Sequence, residues 1–394
     1  MAVGSQAAKR RLAISRRAEA IVQAEIRAMS VECERVQGVN LAQGVCDTEI
    51  PEVVRRAAQE CIETGSNTYT RYDGTGDLRE AIAAKMRTEN GVSCNGETDV
   101  VVSAGSTGAL YCACLALLNP GDEVVLFEPY YGYHLNTLQA VEAVPRYVTM
   151  RPPTWEFSIE QVERAITPRT RAILLNSPGN PSGKVFTRME LEAIADLVIR
   201  HDLFVFSDEI YEYFLYDRQV HISPQSLPGM EERTITVSGY SKTFSITGWR
   251  IGYSVSDARW ARMIGYVNDL IYVCAPAPLQ AGVARGIRAL PPEFYTSLAA
   301  EYKSKRDILC NTLAELGLHP FVPGGAYYVL ADVSRVPGDT SKEKAMQILA
   351  KTGVATVPGD AFYHGIEGSR QVRFCFAKKQ EDLNEACTRL RRLR

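Results

Sequence analysis

Lys242 stands in the run Ser238-Gly239-Tyr240-Ser241-Lys242-Thr243-Phe244-Ser245, framed by glycine and hydroxyl residues, directly after the apolar Thr234-Ile235-Thr236-Val237. An amine at the end of a buried strand loses hydration; its pKa falls and it can enter a Schiff base. Arg250, in Thr247-Gly248-Trp249-Arg250, follows about two helical turns of sequence later and offers a planar fork of donors suited to a phosphate. Alone, this pair is equally well a surface lysine in a glycine-rich loop.

Other segments supply the missing parts of one site. Ser207-Asp208-Glu209-Ile210-Tyr211 ends the apolar Phe204-Val205-Phe206. A carboxylate desolvated there needs a cation, such as a protonated ring nitrogen, although Asp208 as a helix N-cap is the simpler reading. Tyr211 reaches the same ring if the chain turns into a helix. Asn176-Ser177-Pro178-Gly179-Asn180-Pro181-Ser182-Gly183 is a rigid turn at a strand end that presents the Asn180 amide as a donor. Ser103-Ala104-Gly105-Ser106-Thr107-Gly108 opens a helix, so the backbone N–H groups of Ser106 and Thr107, with the helix dipole, form an anion seat. Phe127-Glu128-Pro129-Tyr130-Tyr131 brings an aromatic face to the same edge; Tyr130 is read as core. Arg373 alternates with apolar residues in Val372-Arg373-Phe374-Cys375-Phe376. It is expensive to bury without an anion, either a substrate carboxylate or an internal Asp or Glu.

These segments need strands to hold them. Short β-branched or aromatic runs at Val100–Ser103, Glu123–Phe127, Pro145–Val148, Ala172–Leu175, Leu203–Phe206, Thr234–Val237 and Ile251–Val255 recur between helical stretches, without clear alternation. That pattern predicts strands covered on both faces: a doubly wound α/β sheet, mostly parallel and seven-stranded, with ligands at the strands' carboxyl ends. Val39–Gly44 reads as a short strand stopped by glycine, and a helix runs from Pro51 to about Thr64. After Leu290-Pro291-Pro292 a charged helix and the strands Ala326–Leu330 and Val372–Phe376 suggest a smaller α+β domain. The expected division is 1–48 as N-terminal arm and part of the small domain, 49–290 as the large cofactor-binding domain, and 291–394 as the small C-terminal domain.

The 394 residues are 46% hydrophobic and 23% charged with a net charge of −2, which gives no field that would favour nucleic acid or an acidic membrane. Ten cysteines without a Cys-x-x-Cys pair favour a reducing compartment. No apolar run approaches the ~18 residues of a membrane span. The expected location is cytoplasmic, and the basic cluster Lys9, Arg10, Arg11, Arg16 and Arg17 is read as an amphipathic N-terminal helix.

Taken jointly, Asn180-Pro181-Ser182-Gly183, Ser207-Asp208-Glu209-Ile210-Tyr211, Ser241-Lys242, Thr247-Gly248-Trp249-Arg250 and Arg373 resemble the class I/II aminotransferases, pyridoxal 5'-phosphate enzymes of fold type I, from about Arg27 to the C-terminus. The closer resemblances include the subgroup of kynurenine, glutamine and methionine aminotransferases. The resemblance implies a homodimer in which Lys242 carries the cofactor as a Schiff base and Asp208 pairs with its ring nitrogen. Tyr211 and Asn180 bond its phenolate oxygen, and Tyr131 stacks on the ring. Ser106, Thr107, Ser241 and Arg250 hold the phosphate, with Tyr69 reaching in from the other subunit. Arg373 binds the substrate α-carboxylate and Gly44 lines the entrance. The implied reaction moves the α-amino group of an L-amino acid to a 2-oxo acid through pyridoxamine phosphate, in ping-pong order and without a metal. A lyase or an oxidase on the same scaffold would keep all these residues.

Two positions depart from the family pattern. Gly239 replaces a frequent phosphate-binding hydroxyl, and Cys46-Asp47 replaces Pro-Asp after the first glycine turn. A distal-carboxylate cation is also missing: the phosphate turn carries Thr107, and the stretch resembling the neighbour's contribution reads Tyr272-Val273-Cys274-Ala275-Pro276. A neutral, apolar or aromatic substrate side chain is therefore expected, with glutamate weaker and dependent on Arg71 swinging inward.

Overall fold

In the computed structural model, which describes residues 12–21, 23, 25–46, 48–65 and 67–394, strands and helices alternate through the middle of the chain as the hydrophobic rhythm predicts. The strands are β1 (Val39–Asn40), β2 (Val100–Ala104), β3 (Glu123–Glu128), β4 (Val144–Thr149), β5 (Thr170–Asn176), β6 (Phe204–Asp208), β7 (Thr234–Gly239), β8 (Ile251–Val255), β9 (His319–Phe321), β10 (Tyr328–Asp332), β11 (Val354–Ala355), β12 (Val357–Pro358) and β13 (Gln371–Cys375). Seven of them form one sheet in the order β2-β8-β7-β6-β5-β3-β4. Only β8 runs antiparallel to its neighbours.

That one reversal places the site. The carboxyl ends of β2, β3, β5, β6 and β7 share an edge, and because β8 is reversed, its first residue lies there too, bringing Arg250 to it. Alternate residues of each strand enter different cores: Leu126, Leu174 and Phe206 pack on one face, Val125, Ile173 and Val205 on the other. Each such side chain contributes roughly 1.5–3 kcal/mol by leaving water.

The covering helices include α1 (Arg16–Ala20), α2 (Glu25–Arg35), α3 (Glu52–Glu63), α4 (Gly76–Glu89), α5 (Gly105–Leu117) and α6 (Gly132–Ala140). Next come α7 (Ile159–Ala165), α8 (Arg188–Arg200), α9 (Ala258–Tyr272) and α10 (Ala277–Ala289). A capping box starts α8: Thr187 accepts from the Glu190 N–H while the Glu190 side chain accepts from the Thr187 N–H. Cys112 and Cys114 are buried in α5, and Tyr130, read as core from the sequence, packs in the same cluster.

A second, antiparallel sheet has the order β12-β13-β10-β9, and β1 pairs in parallel with β11. The 24-residue helix α11 (Pro292–Glu315), α12 (Ser341–Thr352) and α13 (Gln380–Leu390) accompany it. Arg373 lies on the central strand β13, opposite Leu330 of β10 and Val357 of β12.

Three expectations change. The strand from Val39 stops at Asn40, because the Asn40 Oδ1 accepts from the N–H groups of Ala42 (2.9 Å) and Gln43 (3.1 Å) and bends the chain. Residues 210–213 form turns rather than a helix. Of the basic N-terminal cluster, Lys9, Arg10 and Arg11 lie outside the described residues; Arg16 and Arg17 belong to the five-residue α1, which buries no side chain. No helix among the described residues is long and apolar enough to cross a membrane.

Candidate active site

A cavity of about 330 Å³ opens at this sheet edge, lined by Lys242 and Ser241 after β7, Asp208 at the end of β6 and Tyr211 after it, Asn180 after β5, Tyr131 after β3, Ser106 and Thr107 after β2, and Arg250 before β8. Six separate chain segments thus converge. Gly44 and Arg373 adjoin the cavity through their bonding partners. Tyr69 does not line it; its ring is 82% exposed.

The lysine turn is tight. Lys242 Nζ donates to the Gly44 carbonyl at 3.3 Å and lies 5.8 Å from the centre of the Tyr327 ring. Burial pushes its amine below the ordinary lysine value, over the opposing influence of the Cys46 and Cys375 thiols. The Tyr327 hydroxyl also donates to the Gly44 carbonyl, at 3.2 Å. A Cβ on Gly44 would sit 1.9 Å from the Tyr328 hydroxyl, so glycine is the residue this approach tolerates. Lys85 pairs with Glu212, and the Ser238 hydroxyl lies 3.3 Å from both Glu212 Oε1 and the Glu209 carbonyl, which share its one proton. His221 Nε2 bonds Glu209 at 2.8 Å. Glu209, Glu212 and His221 are close enough to share a cation, yet the Lys85 ammonium already fills that role.

At the anion end, Ala104 provides no side-chain cap for α5, so the helix's first N–H groups stay open. Arg250 has left-handed backbone (φ 56°), and its Nη2 donates to the Ala104 carbonyl at 3.2 Å, which sets the guanidinium beside that helix end. Glycines make the approach possible: a Cβ on Gly252 would lie 2.2 Å from the Ser106 nitrogen, and one on Gly105 would lie 2.2 Å from Arg250 Nη2. Gly239, the departure noted in the sequence, is explained in the same way, because its Cβ would fall 2.9 Å from the Gly252 Cα. Cys46 of the other departure is buried, while Asp47 lies outside the described residues.

Asp208 is not a helix cap. Its Oδ1 accepts from the Ile210 N–H at 3.2 Å and its Oδ2 lies 2.8 Å from His134 Nε2, which carries the proton since a carboxylate only accepts. His134 of α6 was not singled out in the sequence. The available signal was its position three residues after Tyr131, one helical turn away on the same face; the two rings meet edge to face at 5.3 Å. Asn176 braces the Asn-Pro turn, accepting from the Asn180 N–H at 2.8 Å and donating to the Asp208 carbonyl at 3.0 Å. Tyr211 is buried with its hydroxyl 3.1 Å from that of Tyr328, and burial and that neighbour hold its pKa well above the usual value.

Arg373 is 0% exposed. Its Nη1 donates to Asn180 Oδ1 at 2.8 Å and its Nη2 to the Ala42 carbonyl at 2.6 Å, while Nε has no partner. No acidic residue among the described residues pairs with it, so the internal Asp or Glu allowed by the sequence is not there. The contact also orients the amide: with Oδ1 committed to Arg373, Asn180 keeps Nδ2 as a donor for the cavity. Arg71 does not swing inward, because Asp73 takes its Nε (2.7 Å) and Nη2 (2.6 Å) and Glu97 takes Nη1.

A sequence profile described as "Aminotransferase class I and II" matches residues 36–390. Methionine aminotransferase of Escherichia coli is 33% identical over 365 residues, covering 93% of this chain and 94% of the relative. Aromatic-amino-acid aminotransferase 2 of Thermococcus litoralis is 31% identical, covering 97% and 98%. The solved structure of N-succinyldiaminopimelate aminotransferase from Mycobacterium tuberculosis superposes with a TM-score of 0.94 at 34% identity, covering 97% of this chain and 100% of that one.

Proposed function

The chain belongs to the class I and II aminotransferases, and from that premise we propose what its residues do and which substrates it takes. It is an enzyme of fold type I that moves an amino group from an amino acid to a 2-oxo acid with pyridoxal 5'-phosphate as cofactor. The cavity suits that group: an uncapped helix end with Arg250 beside it for a phosphate, a desolvated amine for an aldehyde, and a carboxylate at the far wall for a ring nitrogen. When bound, the cofactor supplies the electrophilic carbon and a protonated ring that draws electrons from the substrate Cα.

Ser106, Thr107, Ser241 and Arg250 hold the phosphate. Asp208, oriented by His134, would pair with the ring nitrogen and favour its protonated form. Asn180 Nδ2 and the Tyr211 hydroxyl would donate to the ring oxygen, and Tyr131 would stack on the ring. Lys242, whose amine burial holds below the ordinary lysine value, would hold the cofactor through its aldehyde carbon and, once the substrate amine displaces it there, would take and return the proton of the substrate Cα at Nζ. Arg373 receives the α-carboxylate on its unused donors. The observation that carries this assignment is the fully buried Arg373 with an unpartnered Nε and no acid paired with it among the described residues.

The amino donor has a neutral, apolar or aromatic side chain. Thr107 stands in the phosphate turn where a cation would meet a distal carboxylate, and methionine and aromatic-amino-acid enzymes are among the relatives. The enzyme is a homodimer: Tyr69 is 82% exposed and Tyr266, Leu270 and Val273 form a further exposed apolar row at 51%, 83% and 44%, which a second copy would cover. Ten free cysteines support the cytosol as its compartment. We keep the division into 1–48, 49–290 and 291–394, with β1 and β11 as the support for joining the first segment to the third. The test is kcat/KM for methionine, glutamine, phenylalanine, kynurenine, glutamate and aspartate; a clear lead for aspartate overturns the side-chain assignment.

A further inference from the structure

Two of the three cationic residues used above are already committed within the protein or to the reaction: Arg250 lies against the α5 end, and Lys242 is the amine of the chemistry. Arg373 takes the α-carboxylate. A fourth cation lines the same cavity without an assigned role. Arg27 stands in the first turn of α2, whose Met29 and Cys33 are buried in the core shared with β11 and β12. The neighbouring Glu25 and Ile26 line a second cavity together with Tyr131, Gly132 and Tyr133 at the start of α6. With one face of α2 buried, Arg27 lies on the other, and it lines the same cavity as Tyr133, Thr137 and Asp208.

Arg27 is exposed and makes no ion pair with any described residue. Asp208 is the acid that lines the cavity, and His134 already holds it. A guanidinium facing a ligand cavity without an acid of its own is a fork left for a ligand's carboxylate.

We propose that Arg27 is a subsite for the distal carboxylate of a dicarboxylic 2-oxo acid, the amino acceptor, and of the dicarboxylic amino acid it becomes, in a pocket whose other donor is neutral. This rests on the amino-transfer reading above. Donor and acceptor occupy one cavity in alternate halves of the reaction, so a single pocket must take an uncharged and a charged side chain. A fully buried second arginine would reject the neutral donor, because its desolvation would go uncompensated. An arginine at the solvated wall does not: with a neutral donor it returns to water at little cost, and with a diacid it adds charge-assisted hydrogen bonds. Arg71 cannot substitute for it within this chain, being closed by Asp73 and Glu97.

The experiment uses Arg27→Met and Arg27→Lys holoenzymes and measures each half-reaction alone, together with binding of glutarate, a non-reacting diacid, and butyrate, its monoacid control. Arg27→Met is expected to lower both kcat/KM for 2-oxoglutarate and affinity for glutarate by about 10- to 100-fold, the size of a lost charge-assisted contact. Arg27→Lys recovers part of it. Phenylpyruvate turnover and butyrate binding stay within about twofold. Unchanged glutarate affinity overturns the proposal. So does an equal loss for charged and neutral ligands with weaker cofactor retention, which would put Arg27 on the phosphate. If the unmodified enzyme transfers no amino group at all, the amino-transfer reading fails, and the glutarate arm still decides for or against Arg27.

Discussion

Replacing Arg373 with methionine should abolish carboxylate recognition while leaving the protein nearly as stable as before. The guanidinium is 0% exposed and spends two donors on Asn180 Oδ1 and the Ala42 carbonyl, with Nε unpartnered. The Tyr328 and Phe362 rings lie 4.2 and 5.1 Å from its central carbon. Removing it forfeits those two hydrogen bonds, roughly 3–6 kcal/mol gross, and leaves Asn180 Oδ1 exposed to the cavity. It also removes a buried cation with no anion, which costs several kcal/mol to keep. The two effects oppose each other, so the free protein should change by less than about 2 kcal/mol. Ligand binding has no such offset: loss of two charge-assisted hydrogen bonds to a carboxylate predicts affinity lower by about 10²–10⁴-fold. The assay is thermal melting of the holoenzyme with and without a non-reacting carboxylate. At a hundredfold excess over its Kd the ligand adds about 2.7 kcal/mol to the unmodified protein, about 3 °C for a chain of this length, and should add nothing to the variant at the same concentration. A variant that keeps its affinity within about tenfold refutes the reasoning; one that unfolds shows instead that the cation is structural.

Lys242→Ala should lower turnover by at least about 10²–10⁴-fold, with the protein folded and cofactor bound non-covalently, as judged by visible absorbance after gel filtration; more than about a tenth of the activity remaining rejects the assignment. Mixing Tyr69→Phe with Lys242→Ala chains should give heterodimers with one doubly damaged and one intact site, so recovery of activity on mixing reads the composite site, and an active monomer excludes it. Gly252→Ala should weaken cofactor retention by tenfold or more, because its Cβ lands 2.2 Å from the Ser106 nitrogen and the α5 end must retreat, at about 1–3 kcal/mol; unchanged retention in equilibrium dialysis counts against the phosphate seat. Burial holds the Tyr211, Tyr240 and Tyr327 hydroxyls protonated well above their ordinary pKa of 10.0. The unfolded chain then releases these protons first as pH rises, so stability is full below about pH 10 and is lost above it; urea midpoints at pH 8 and above 10 should diverge, less steeply for Tyr240→Phe.

The residue sequence determined the sheet and the chemistry that sits on its edge. Seven apolar runs of strand length can lose water on both faces only between helices, and turn-forming residues such as Asn180-Pro181 and Gly105-Ser106 must then fall at strand ends, where backbone groups and polar side chains face a shared crevice. Local pattern could therefore single out Lys242, Asp208 and Arg373 as polar groups at the end of or within apolar runs, Asn180 from its rigid turn, and Arg250 from its spacing after Lys242. Which partner each one meets depends on contacts between segments far apart in the chain. His134 reaches Asp208 across 74 residues, Arg373 fixes the Asn180 amide across 193, and Gly44 meets Lys242 across 198. Arg71, free to swing in any sequence reading, is closed by Asp73 and Glu97, while Arg27, unremarkable in a polar helix, faces the cavity. Propensity and patterning act over a few residues, whereas the direction of a side chain and the identity of its neighbour follow from how whole elements pack, and only the folded chain decides that.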